Sequence, residues 1–285
     1  MSTHNQHHYL PAAYFKPWCR ADGRLKYFTY KNGKPISDLA HRKHITKVLN
    51  LYSVFGAPDV KIQQIEKDFF SALIDEPGAK IHKKLLSNNN DQLTQQERHS
   101  WVKYILALRA RTPEAIEKIR VSSKEMIDQV LLDSQEEYES LRPLGAPATL
   151  RECIEGWFIE NIGVLRVLPS VIDIETTRKA LLEMHWVCFD VTKSGVEFIT
   201  SDRPLTWHKS PLDKDFFLAL PISPSVGFVI AKSTVTLEKL GNLNHIELIS
   251  RFNESTISNS KNFVYSSCDY EDNLIFNNIS KFSAK

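Results

Sequence analysis

The sequence predicts an α+β protein: a helical layer over about residues 60–180, packed on a mixed or antiparallel sheet formed by N-terminal and C-terminal strands. Three observations predict it. Apolar residues alternate near residues 24–45, recur at three- and four-residue spacings from about 60 to 180, and return to alternation after 180. The 285 residues, 42% of them apolar, are enough for one sizeable core, so a single domain, 1–285, is expected.

The elements follow in order. Pro11 and Pro17 leave room for one short turn before Trp18. Residues 24–30 (RLKYFTY) alternate, and Asn32-Gly33 is a hairpin dipeptide, so a small β unit covers about 24–45. Helical spacing marks residues 60–74, 80–87, 94–111, 113–138 and 150–167. The expected breaks are Pro77-Gly78, the loop Asn88-Asn89-Asn90 and the stretch from Pro143 to Pro147. Thr94 with Glu97 reads as a capping box, and Pro113 suits a first helical turn. Beyond 180, residues 184–191 and 196–201 read as a hairpin turning at Lys193-Ser194-Gly195. Strands at 216–222 and 226–231, one long helix at about 235–258, a strand at 263–266 and a polar tail complete the chain.

Thirty-six basic and 34 acidic residues give a formal charge of +2, so no global pull toward nucleic acid or an anionic membrane exists, although a local basic groove is compatible with it. Cys19, Cys153, Cys188 and Cys268 are widely spaced without a C-x-x-C pair, which argues against a zinc ribbon or redox dithiol and for reduced thiols. With no basic-then-apolar start and no apolar run near the roughly 20 residues that cross a bilayer, a cytoplasmic protein without membrane association is expected.

Two motifs place acid–base groups beside a proline: His7-His8-Tyr9-Leu10-Pro11 and Thr200-Ser201-Asp202-Arg203-Pro204. Misplaced polar residues add to them. With about 100° per residue, Glu66 falls within the stripe Ile62, Ile65, Phe69, Phe70 and Leu73. Arg109 falls within the stripe of Trp101, Val102, Ile105, Leu106 and Leu108, with Arg111 at its edge, and Asn244 lies between Leu237, Leu240 and Leu248. A buried charge needs a partner, so Glu66 and Arg109 are expected to meet each other or a shared cluster. A structural ion pair accounts for two such residues about as well as a site does; convergence with His7, His8 and Asp202 favours a site. Adjacent His7 and His8 point apart, so one of them is expected to be structural. Ser201 lacks a nucleophile-elbow context and reads better as a turn cap. His41 and His44 sit in a basic, solvated stretch, and His185 and His208 read as ordinary strand and loop residues.

The ordered motifs resemble a bacterial family known as a domain of unknown function, with an N-terminal His-His-Tyr-x-Pro and a later Thr-Ser-Asp-x-Pro. The resemblance extends to Leu51-Tyr52-Ser53, the Glu66 helix, Arg109-Ala110-Arg111-Thr112-Pro113, Leu220-Pro221-Ile222-Ser223-Pro224, Asn244 and Phe263-Val264-Tyr265-Ser266. It implies that His8, Glu66, Arg109 and Asp202 are companions of one fold, and it implies no reaction. At Arg203 the chain departs from the small or polar residue usual there.

The residue types suit a hydrolase acting on phosphodiesters, such as a nuclease of toxin or phage-defence type. His8, His7, Glu66 and Asp202 are the catalytic candidates; Arg109, Arg111, Ser201 and Asn244 are the substrate-binding ones. A divalent ion, Mg, Mn or Zn, is compatible with two carboxylates and a histidine, as is a metal-free mechanism. The alternative is a non-catalytic binding or sensor module for a small anionic ligand or a protein partner, anchored by Arg109. A third reading makes the cluster structural and puts function on a surface such as the aromatic-rich region 14–30.

Overall fold

The computed structural model describes residues 5–87, 93–267 and 275–276. Asn88-Asn89-Asn90, Cys268 and the polar tail lie outside them. Strand β1 (Gln6–His8) is followed by a hairpin of β2 (Arg24–Lys31) and β3 (Lys34–His41). Its turn residues Asn32 and Gly33 both take positive φ, 53° and 73°, the winding that matches strand twist. Strand β4 (Lys47–Leu49) returns to pair antiparallel with β1, placing His8 opposite Lys47. The segment between β1 and β2 is irregular apart from one 3-10 turn at Lys16–Trp18, yet Tyr14, Phe15 and Trp18 are fully buried. These three rings belong to the core and not to a surface patch.

The first helix departs from the expected winding. Ile65–Asp75 is a π-helix that runs without a break into α1 (Glu76–Leu86). Hydrogen bonds from i to i+5 widen the turn, so the buried stripe is Ile65, Phe70 and Ile74, and Leu73 is left exposed. Pro77-Gly78 was expected to break the chain here and does not. Pro77 sits in the first turn of α1, where the missing N–H is tolerated. Gly78 faces α2 (Gln95–Ala110), where a Cβ would overlap the Tyr104 ring. The capping box of Thr94 and Glu97 forms, and Thr112 caps α3 (Pro113–Asp133) with Pro113 at its first position. Then come α4 (Gln135–Leu141), α5 (Gly156–Ile162), a second π segment (Gly163–Val167), α6 (Leu168–Ile172) and α7 (Glu175–Glu183).

The C-terminal part contains β5 (His185–Asp190), β6 (Thr200–Ser201), β7 (Thr206–His208), β8 (Phe217–Pro221), β9 (Val226–Ala231), α8 (Thr234–Gly241), α9 (His245–Asn259) and β10 (Val264–Ser266). One antiparallel sheet has the order β5-β9-β8-β7; a second, β3-β2-β10-β6, joins N-terminal to C-terminal strands. The fold is α+β. The hairpin expected over 184–201 does not form: Gly195 turns with φ 73°, but Phe198 N–H donates to the Pro224 carbonyl, Ile199 N–H to Asn253, and β5 pairs with β9.

Every residue of β9 is buried because both faces of its sheet are covered. Phe228 and Ile230 face the main core under the helical layer, whereas Val229 and Ala231 pack toward Leu248, Ile249 and Phe252 of α9. Each large side chain so buried contributes roughly 1.5–3 kcal/mol. The helix expected over 235–258 is two helices, and Asn244 is the N-cap of the second. No helix among the described residues is long and apolar enough to cross a membrane.

Candidate functional site

The first motif divides its two histidines as strand geometry requires. His7 is fully buried and stacks on Tyr52, ring centroids 5.4 Å apart. Its Nδ1 accepts the Tyr52 N–H at 2.8 Å, so Nε2 carries the proton and donates to Gln63 Oε1 at 2.6 Å. Both ring nitrogens are occupied, and His7 fixes the 50–53 turn to the start of the π-helix. His8 points the other way and keeps Nε2 buried without a partner. Burial, followed by the charge of Lys47, lowers its pKa to about 4, against a hydrogen bond with the Lys43 main chain. The ring is therefore neutral near pH 7, and its Nε2 has no partner.

Glu66 and Asp75 come from the π-helix. Nine residues of α-helical winding would set them about 180° apart; the wider π turn, about four and a half residues, returns them to nearly one face. Between them comes Arg111, from the turn joining α2 to α3. It is fully buried beside Phe70, and its Nη1 donates to Asp75 Oδ1 at 2.9 Å and Oδ2 at 3.2 Å. Burial favours loss of the Arg111 proton, and Asp75 together with Tyr52 and Tyr104 outweighs that and keeps it charged. Nε and Nη2 remain buried and unpaired, as does Oε2 of Glu66. Burial pushes the Glu66 carboxyl up to about 7, opposed by Arg111 and aided by Asp75. Tyr52 closes the group: its hydroxyl lies 3.3 Å from the carbonyls of both His8 and Arg111.

The structure therefore brings His8, Glu66 and Arg111 into one electrostatically linked cluster, together with Asp75 and Tyr52, which sequence reasoning missed. Asp75 was hidden by the assumption of α-helical winding. Tyr52 stood in the Leu51-Tyr52-Ser53 stretch, but nothing there announced its role.

The remaining candidates lie elsewhere. Arg109 does not meet Glu66; it is exposed and stacks on Trp207 at 4.1 Å, because the last turn of α2 faces the loop after β6. Asp202 is buried with both carboxylate oxygens occupied: Oδ1 accepts Lys261 N–H at 2.9 Å, and Oδ2 accepts Asn262 and Phe263 N–H at 2.8 and 3.3 Å. Those bonds tie the turn before β10 to β6. Ser201 Oγ accepts Arg203 N–H at 3.1 Å, a turn cap. Asn244 is spent on Glu247 N–H at 2.9 Å. The two motifs do adjoin, at Tyr9, whose buried hydroxyl feels the charges of Asp202, Glu114 and Arg203. Arg203 itself pairs with Glu114 at the start of α3.

Among the described residues no three His, Cys, Asp or Glu side chains are grouped to hold a metal ion. Asp75 is engaged by Arg111.

Comparison with curated proteins and with solved structures gave no match. Comparison with family profiles matched residues 6–269, a stretch that contains every residue of the cluster. By that match the chain belongs to the family described as protein of unknown function, DUF4238.

Proposed function

We propose that the cluster is the active site of a phosphodiester hydrolase in which His8 is the base, Glu66 the acid and Arg111 the anion anchor. One observation carries this reading: His8 Nε2, Glu66 Oε2 and Arg111 Nε and Nη2 are buried, unpaired and drawn from three separate elements. Buried polar atoms are rarely left without partners, and their convergence suits a ligand that brings its own oxygens. Two guanidinium N–H groups match two phosphoryl oxygens. His8 Nε2 then takes a proton from the attacking water or hydroxyl as the new P–O bond forms. Glu66, about half protonated near neutrality, gives its proton to the departing oxygen as the old P–O bond breaks. An arriving anion raises the pKa of His8, so the base strengthens once substrate is bound.

The second reading, a module that senses a small anion, draws support from the complete burial of Arg111, which favours small ligands. Assay of purified protein against RNA, DNA and bis(p-nitrophenyl) phosphate, with and without chelator, separates the two. The hydrolase reading expects turnover that falls about a hundredfold or more in His8→Ala and Glu66→Gln. Turnover unchanged in a folded His8→Ala protein refutes it, and phosphate binding without turnover of any substrate supports the sensor.

A further inference from the structure

Beside the cluster, between the β2–β3 hairpin, β4, the turn at 262–263 and β10, lies a cleft of about 700 Å³, within the usual ligand-pocket range. Its chemistry is uneven. Five aromatic rings line it: Tyr9, Tyr27, Tyr30, Phe263 and Tyr265. The basic groups on its wall are Lys31, Lys47 and His44, and among the described residues no carboxylate lines it. Tyr27 and Phe263 meet edge to face at 6.0 Å, and Phe263 stacks on Tyr265 at 6.1 Å, so the three rings form one packed corner of the wall. Asn262 also lines the cleft and offers a side-chain donor and acceptor. Its main chain is pinned by Asp202, which makes the buried aspartate the positioning residue for this wall.

Flat rings, lysines and an amide select for a ligand that combines an aromatic heterocycle with negative charge. We propose that this cleft binds a nucleotide unit, its base against Tyr27 and Phe263 and its phosphate toward Lys31 and Lys47. The Lys47 and His44 edge of the cleft also acts electrostatically on His8. The proposal thus deepens the hydrolase reading by naming its substrate class as nucleotides, whether free or within a single strand.

The test is direct binding, measured separately from cleavage. Labelled ten-residue single-stranded DNA and RNA are titrated by fluorescence anisotropy, and AMP and inorganic phosphate by calorimetry. The parent is compared with Tyr27→Leu, Lys31→Glu and Tyr27→Ala, each checked for an unchanged fold by circular dichroism. AMP and the oligonucleotides are expected to bind more tightly than phosphate, with on the order of tenfold weakening in the Tyr27 variants. Lys31→Glu, at an exposed position, should weaken binding and flatten its salt dependence. Oligonucleotides binding more tightly than AMP identify a strand as the ligand, and equal affinity identifies a free nucleotide. Parent-like affinity in folded Tyr27→Leu and Lys31→Glu overturns the proposal, as does phosphate binding as tightly as AMP. Nucleotide binding without hydrolysis leaves the cleft assignment standing and removes the hydrolase; hydrolysis of bis(p-nitrophenyl) phosphate without nucleotide binding does the reverse.

Discussion

Replacing Glu66 by Gln is expected to stabilise the protein above neutral pH. The carboxyl is pushed from 4.5 up to about 7, chiefly by burial, so the folded chain resists its ionisation. At about 1.4 kcal/mol for each tenfold change in proton affinity, holding the ionised form costs the fold roughly 3 kcal/mol. Because the side chain is only partly buried, solvent screening reduces the figure to about 2 kcal/mol. The sign follows from which state binds the proton. Below pH 4.5 both folded and unfolded chains carry it and no stability is lost; between 4.5 and about 7 the unfolded chain ionises first; above about 7 the loss is complete. Gln never ionises, so thermal unfolding curves of the variant and parent should agree near pH 4 and diverge as pH rises. At pH 8 the variant should melt about 5 °C higher. A structural Glu66–Arg111 ion pair requires the opposite, because removing one partner of a buried pair is strongly destabilising. A variant less stable than the parent at pH 8 would refute the reasoning.

Other outcomes follow from the same contacts. Arg111→Met strands the Asp75 carboxylate and should cost about 3–5 kcal/mol in urea unfolding, part of it recovered in the double variant with Asp75→Asn; additive losses would deny the pair. Asp202→Asn removes one of two carboxylate acceptors for three main-chain N–H groups and should lower stability by about 2 kcal/mol in urea unfolding; a stability equal to that of the parent would deny that the carboxylate holds this turn. His8 and His82 are both lowered to about 4 by burial, so their stabilising neutral state is complete above pH 6.5 and is lost as pH falls toward 4; ring NMR signals that move near pH 6.5 would contradict this. Gly78→Ala should destabilise by about 1–3 kcal/mol, since the new methyl group meets the Tyr104 ring across α1 and α2; a melting temperature equal to that of the parent would show that the helices can part without cost.

Features that depend on near neighbours are legible along the chain. Apolar periodicity marked the helical layer, the Asn32-Gly33 hairpin and the β8–β9 strands, and local chemistry marked the caps at Thr94 and Pro113. The sequence also singled out His8 by its motif beside Pro11, and Glu66 and Arg111 because a charge near an apolar stripe is visible in one dimension. Pairing partners were not visible. Which arginine acts on Glu66 depended on the turn after α2, where the 100° rule no longer sets direction. Asp75 joined the cluster only through π winding, which no local residue preference announces. Likewise, Asp202 looked like a reactive carboxylate until the turn at 261–263 supplied three N–H donors from about sixty residues away. Local backbone preferences and burial are written along the chain. The identity of the group that satisfies a buried charge is decided when distant segments pack, since burial makes a partner necessary and only the tertiary arrangement supplies one.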